Sequence, residues 1–239
     1  MLRGHRVIDR SLNYGRSCMR RFLERARPYR AVLDIGAGRG YDLDTARELQ
    51  PHARLLAIEA YEPSARLLRD RGVEVQAIDI ERDPFPFGPG SVDVVIANQI
   101  LEHTKELFWI LHQVSTVIRG GGRLLVGVPN LASLHNRIRL LAGRQPTSLR
   151  NYTAHVRGFT KRDLEALLDR GFPGGYRLNG FTGSNFYPFP APAARPLARL
   201  FPSMAWGIFL EWEKVGPYGG QFLEYPVRER LETNFYLGR

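Results

Sequence analysis

The sequence predicts an α/β domain built on a parallel sheet with helices on both faces. Three observations predict it. Five short apolar runs recur at 31–35, 54–58, 73–80, 92–98 and 122–128, and the stretches between them carry helical periodicity. The first run opens into a loop with a glycine at every second position: Gly36, Gly38 and Gly40. The second run ends in an acid, Glu59, 23 residues after Gly36, a spacing that suits one strand–helix–strand unit.

Taken in order, residues 7–27 place Val7, Ile8, Leu12, Cys18, Phe22 and Leu23 at roughly helical spacing. One or two helices are expected there, divided near Gly15 and ending before Pro28. Residues 31–35 read as a buried strand that carries Asp34 just before the glycines. Glycine lets the chain turn sharply and approach a ligand closely, because no Cβ intervenes. Residues 41–50 read as a helix, so the loop opens onto a helix N-terminus. Later strands are expected at 73–80, ending near Asp79, and at 92–98 and 122–128. A helix at 133–141 then sets Leu134, Ile138 and Leu141 on one face, and a polar loop at 143–151 leads to Tyr152, His155, Arg157 and Phe159. Thr160 can cap a helix running to Arg170, with Gly171 stopping it. Residues 176–181 read as a sixth strand. The stretch 186–192 is rich in aromatics and proline, which cannot donate to a central sheet, so it reads as loop. Residues 193–204 form a short amphipathic helix interrupted at Pro202, and 205–215 a seventh strand.

The chain has 239 residues, enough for one sizeable core. No apolar run approaches a membrane span, and residues 1–6 carry charge without an apolar signal region, so the cytoplasm is the expected compartment. A single cysteine, Cys18, excludes an internal disulfide and a cysteine metal cluster. The formal charge is +10, and only Lys105, Lys161 and Lys214 of the 34 basic residues are lysines. The arginines run from Arg3 to Arg239 without a concentrated tract, so charge alone argues against a nucleic-acid partner.

Together, DIGAGRG at 34–40, the acid Glu59, Ala77-Ile78-Asp79-Ile80, SVDVVIANQILEH at 91–103 and GGGRLLVGVPN at 120–130 resemble the class I S-adenosylmethionine-dependent methyltransferases. That resemblance implies a Rossmann-like, seven-stranded, mostly parallel sheet whose last strand is antiparallel, inserted between strands five and six. It implies three regions: an N-terminal helical cap at 1–29, the methyltransferase domain at 30–215, and a C-terminal tail at 216–239. Within the domain fall a substrate insertion at about 130–160 and an aromatic, proline-rich loop at about 182–204. Asp34, Gly36, Ala37, Gly38 and Gly40 would hold the methionine end of S-adenosyl-L-methionine. Glu59, with Ala60 beside it, would take the ribose diol, Asp79 the adenine amino group and Ile80 an adenine face. Asn98 and Gln99 would lie beside the methionine portion. Physics favours this cofactor over a dinucleotide, since a sulfonium and an ammonium prefer acidic neighbours and a pyrophosphate does not. Tyr14 and Arg16 are candidates for the cleft wall.

VPNLASLHNRIRLL and HVRGFTKRDLEALLDRGF resemble the subgroup that methylates small molecules, including quinone- and sugar-type acceptors. An oxygen acceptor calls for a base, and His155 and His103 are the leading candidates, with His135 third. Gln99-Ile100-Leu101-Glu102-His103 resembles the Glu-x-x-Glu-His metal site of small-RNA 3′-terminal methyltransferases, but Gln99 replaces the first acid, so no metal is expected. Asn98-Gln99-Ile100-Leu101 lacks the Pro-Pro-Tyr of the DNA exocyclic-amine enzymes, which disfavours base methylation. The expected function is methyl transfer to a small, glycan-like or lipid-like acceptor, at oxygen. The alternatives are a nucleic-acid or protein methyltransferase using the basic surface, or a cofactor-binding partner protein without turnover. A homodimer through the aromatic, proline-rich region is a further expectation.

Overall fold

A computed structural model describes residues 10–232 and 235–238. Val7 and Ile8 of the expected N-terminal helix lie outside those residues. Arg10–Tyr14 is a 3₁₀ turn and Arg16–Ala26 is helix α1, divided at Gly15. Gly15 has φ 54°, and a Cβ there would lie 2.1 Å from the Phe209 ring, so the chain can pass this point only as glycine. The strands are β1 (Ala31–Ile35), β2 (Arg54–Ile58), β3 (Glu74–Gln76), β4 (Val92–Asn98), β5 (Ile118–Pro129), β6 (Tyr176–Ser184) and β7 (Gly207–Lys214). They form one sheet in the order β3-β2-β1-β4-β5-β7-β6. β7 is antiparallel to both of its neighbours, while β1 to β5 pair in parallel, as the resemblance implies.

All five residues of β1 are buried, because β2 and β4 flank it on both edges. Leu33 and Ile35 face one core layer, beneath α4 (Leu107–Val117) and α6 (Lys161–Gly171). Val32 faces the other, with Phe22 and Leu23 of α1 and Leu43 of α2 (Tyr41–Leu49). Side chains alternate along a strand, so Asp34 shares the α1/α2 face with Val32. Buried Glu211 of β7 pairs with Arg25 at 2.5 Å and ties α1 to the sheet. Lys214, also buried, donates to the carbonyls of Ser115 and Ile118 at 2.6 and 2.8 Å, satisfying the C-terminal end of α4.

The structure corrects three expectations. The third strand is only Glu74–Gln76, not 73–80. It is an edge strand with a single neighbour, and its chain turns away where the Asp79 N–H donates to Asp83. The helix α5 (Leu134–Leu141) forms, but Ile138 and Leu141 are exposed at 57% and 89%, so its apolar face is not a core face. Gly171 does not stop α6 but is its last residue, and it is small for a packing reason, since a Cβ there would lie 2.4 Å from Phe222. The capping box of α6 matches expectation: Thr160 accepts from the Asp163 N–H, and Asp163 accepts from the Thr160 N–H.

The segment 216–239 contains a helix of its own, α8 (Gln221–Arg228). Its Phe222 is fully buried against Phe172 and Tyr218. Between β6 and β7, α7 (Ala191–Leu200) and the turn Pro202–Met204 follow the aromatic loop. Among the described residues no helix is long and apolar enough to cross a membrane. If α8 is part of the core, Phe222→Ala should cost about 3 kcal/mol through transfer and cavity terms. Urea unfolding followed by tryptophan fluorescence would measure it, and a change within experimental error would show that α8 only rests on the surface.

Candidate functional site

The carboxyl ends of β1 and β4 open into a cavity of about 350 Å³. In doubly wound sheets this edge is where ligands bind. Asp34, Gly36, Ala37 and Gly38 form one wall, Asn98 and Gln99 another, and Asp42 and Tyr41 of α2 a third. Tyr14 and Arg16 of the N-terminal cap and Arg39 of the glycine loop complete the lining. Gly36 has φ 70°, and its missing Cβ leaves room for Ile100, which would otherwise lie 2.6 Å away. Gly38 has φ 53° and opens onto free space. A bound molecule can therefore come against its backbone.

The cavity is acidic at its base. Asp34 is buried at 4% exposure, and its carboxyl is pushed well above the usual range by burial, then by the charges of Asp42 and Glu59. Burial also raises Asp42, opposed by a hydrogen bond from Asn98 and by the Arg16 charge. Asn98 Nδ2 donates to Asp42 Oδ2 at 2.8 Å and to the Tyr14 carbonyl at 3.0 Å. One amide thus joins β4, α2 and the cap. Glu59 accepts from the Gly38 N–H at 2.6 Å and from the Tyr61 N–H at 2.9 Å, which ties the tip of β2 to the glycine loop. Arg16 lies over the Tyr41 ring at 3.6 Å.

Two buried polar atoms of the wall, Asn98 Oδ1 and Gln99 Nε2, have no hydrogen-bond partner among the described residues. Orphaned groups of this kind are costly unless a ligand satisfies them. Gln99 also sits at φ 59°, a left-handed conformation uncommon for its type. A molecule with a cationic group for the acids and polar atoms for Asn98 and Gln99 fits this donor set, and S-adenosylmethionine has both. Gly40 caps α2 behind the loop. Glu59, Ala60, Asp79 and Ile80 are not part of the cavity lining; Asp79 is exposed and accepts from the Glu81 N–H at 2.9 Å.

A second cluster follows one turn beyond Gln99. The turn Leu101–His103 is held down by the segment that carries His155, because the Val156 N–H donates to the Glu102 carbonyl at 2.9 Å. His103 and His155 meet edge to face with ring centroids 4.7 Å apart. Glu102, His103 and His155 offer ligand-type atoms within 4.8 Å of one another. His103 Nδ1 lies 3.2 Å from the Ala154 carbonyl and His155 Nδ1 lies 3.0 Å from that of Ser148. A carbonyl only accepts, so each ring carries its proton on Nδ1 in the neutral form and leaves Nε2 free. Burial, followed by the neighbouring His103 charge, lowers the His155 pKa. Glu102 is 2% exposed, neither of its oxygens has a partner among the described residues, and burial pushes its carboxyl up to about 7. His135 stands apart: its nitrogens meet Ser133 and Thr147, and its ring packs on Tyr187.

The structure thus brings to one place the two histidines that sequence reasoning ranked first. It missed the roles of Asp42 and Glu102. Asp42 had a readable signal, an acid in the first helical turn after the glycine loop. The isolation of Glu102 had none, because it depends on the distant segment 154–157 folding over it.

A model of the methyltransferase domain family matches residues 12–172, more than half of the chain. A probable S-adenosylmethionine-dependent methyltransferase of Mycobacterium tuberculosis is 30% identical over 144 residues, which cover 60% of this chain and 48% of that protein. The malonyl-[acyl-carrier protein] O-methyltransferase of Methylococcus capsulatus is 29% identical over 184 residues, covering 74% of this chain and 58% of that protein. The chain spans about half the length of the curated relatives it matches. Among solved structures, an S-adenosylmethionine-dependent methyltransferase from Archaeoglobus fulgidus superposes with a TM-score of 0.59 at 16% identity, covering 85% of this chain and 94% of that one. The 1,6-didemethyltoxoflavin N1-methyltransferase of Burkholderia thailandensis, bound to its substrate and S-adenosylhomocysteine, gives 0.57 at 20% identity, covering 85% and 80%. These likenesses show the shared fold. Family match, sheet order and glycine-loop cavity agree: the chain belongs to the methyltransferase domain family.

Proposed function

We propose that the chain transfers a methyl group from S-adenosylmethionine to an oxygen of a small-molecule, glycan-like or lipid-like acceptor. The observation that carries the acceptor half is the Glu102–His103–His155 cluster, one turn past the cavity wall. The name of the Methylococcus capsulatus relative, an O-methyltransferase, supports oxygen. Bound cofactor supplies a methyl group on a positively charged sulfur, already electrophilic enough to need chiefly an aligned nucleophile. Asp34 and Asp42 attract its positive charge, and Asn98 and Gln99 meet the methionine portion with their free polar atoms. Glu59 keeps lone pairs for the ribose hydroxyls beside its two backbone bonds, with Ala60 next to it. Asp79 and Ile80 serve the adenine from beyond the cavity lining.

An acceptor hydroxyl must lose its proton as its oxygen attacks. His155 or His103 receives that proton at Nε2, since Nδ1 is already committed to a carbonyl. Glu102, ionised above about pH 7, stabilises the resulting imidazolium. The basic-surface alternative is weakened by pairing: Arg20, Arg54, Arg69, Arg119, Arg123 and Arg177 all form ion pairs with acids. Exposed Tyr187, Phe189 and Phe201 support a homodimer through the aromatic, proline-rich region.

Cation binding should favour the ionised form of Asp34, whose pKa is raised in the free protein. Cofactor binding should therefore release protons and tighten as pH rises. Calorimetry in two buffers of different ionisation enthalpy measures this, and Asp34→Asn should weaken binding at least about tenfold and remove the proton release. Equal heats in both buffers would contradict the acid-cluster account.

Turnover should fall as pH drops below about 7, where Glu102 and then the His155 imidazole take up protons. His155→Ala or His103→Ala should cost on the order of 10²-fold or more in kcat. Glu102→Gln should abolish the inflection near pH 7, whereas a purely structural Glu102 would lower the rate without moving the profile.

The same three side chains form a cation-binding geometry, which gives a second reading. Gln99 in place of a further acid favours proton transfer over a metal. Dialysis against a chelator should leave turnover unchanged; loss of turnover restored by Zn²⁺ or Mn²⁺ would assign the cluster to a metal.

A further inference from the structure

A second cavity, of about 340 Å³, lies between α1, the end of β6 and α7. Its charged lining has one sign. Arg16 and Arg21 reach it from α1 and Arg195 and Arg199 from α7, and among the described residues no carboxylate lines it. None of the four forms an ion pair among the described residues, whereas Arg20 and Arg25 on the same α1 pair with Glu48 and Glu211. α7 has no means of neutralising itself, because residues 183–206 contain no acid at all. Arg195 and Arg199 are also spaced i, i+4, where like charges on a helix repel. The Arg16 guanidinium lies on Tyr41 at the boundary, and the charges of Arg21, Arg195 and Arg199 around one cavity are tolerable when a multivalent anion sits among them; guanidinium matches phosphoryl oxygens two bonds at a time.

The position adds a second argument. Arg16 lines both this cavity and the acidic glycine-loop cavity, so the two meet at one side chain. Asp34 and Asp42 line only the glycine-loop cavity, and Arg21, Arg195 and Arg199 only the other. A cationic cofactor and an anionic acceptor would be sorted by charge before any specific contact forms.

We propose that the arginine cavity binds a phosphate or diphosphate group carried by the methyl acceptor, making the acceptor class a phosphorylated small molecule. Four cations exceed what one carboxylate neutralises, which favours the phosphoryl group. The inference rests on the glycine-loop cavity being the cofactor site, and the test separates the two.

The experiment is calorimetric titration of the full chain at low ionic strength with inorganic pyrophosphate and, separately, with S-adenosylhomocysteine. The wild type should bind both. Arg195→Gln combined with Arg199→Gln should weaken pyrophosphate at least tenfold and leave S-adenosylhomocysteine unchanged, which also shows that the variant is folded. Arg21→Gln, on the opposite helix, gives an independent variant with the same expected direction. Succinate should bind at least tenfold more weakly than pyrophosphate. The proposal is overturned if a wild type that binds S-adenosylhomocysteine ignores pyrophosphate, if the arginine variants bind pyrophosphate like the wild type, or if succinate binds equally well. Arginine-dependent pyrophosphate binding by a protein that does not bind S-adenosylhomocysteine would refute the cofactor reading instead, and with it the assignment of the anion to an acceptor.

Discussion

Two buried carboxylates held at one sheet edge, Asp34 and Asp42, with Glu59 tied to the glycine loop beside them, are the constraint on which the site depends. Asp34 is carried there by the most buried strand of the sheet, Asp42 by the first turn of α2, and Glu59 by the tip of β2. Burial, then the charges of Asp42 and Glu59, raise the free energy of the ionised form of Asp34 in the free protein, and burial does the same for Asp42. The fold sustains this because the sheet around β1 is apolar and tightly paired on both edges. Stability is spent locally and supplied by the core, and a cationic ligand recovers it. The two backbone N–H groups that bond Glu59 reduce the cost for that acid, and Asn98 does the same for Asp42.

Asn98 has a wider role than its place on β4 suggests. Its single amide nitrogen reaches both Asp42 and the Tyr14 carbonyl, so the cap and the acid cluster are positioned by the same group. The cap is fixed elsewhere by Arg25 on Glu211 and by the close passage of Gly15 over Phe209. These contacts place Arg16 where it can face two cavities at once. The N-terminal segment is therefore a wall of the site, built against the sheet, and not an appendage to it. Its attachment points on β7 come from nearly two hundred residues further along the chain.

The cluster beyond Gln99 follows another logic. Glu102 is enclosed by the turn it sits in and by the segment that bonds its carbonyl, yet neither carboxylate oxygen is matched. A carboxyl kept near neutrality beside two imidazoles is poised to exchange protons at physiological pH. The imidazoles are oriented by backbone carbonyls from the region 148–154, so their reactive nitrogens depend on a loop rather than on the sheet. Loop-borne groups on a rigid sheet edge allow one cofactor site to serve different acceptors in different relatives.

Much of this was legible in the chain itself. Strand runs, glycine loop, acid spacing and the antiparallel seventh strand follow from local apolar patterning and from the resemblance those motifs carry. Asp34, Gly36, Ala37, Gly38, Asn98 and Gln99 line one cavity because strand ends and the loop after them are local features. What depended on distant contacts was not legible. The third strand is short because it has one neighbour, the α5 face is exposed because nothing covers it, and Gly171 is small because Phe222 arrives from α8. The sequence by itself determined the sheet, the loop and the acids that a cationic cofactor requires, since each is encoded within a few consecutive residues. Only the tertiary structure decided that Glu102 is isolated, that His103 meets His155, and that four arginines from two helices share one acid-free cavity. Burial and net charge of a cavity are sums over segments far apart in the chain, and no local pattern records them.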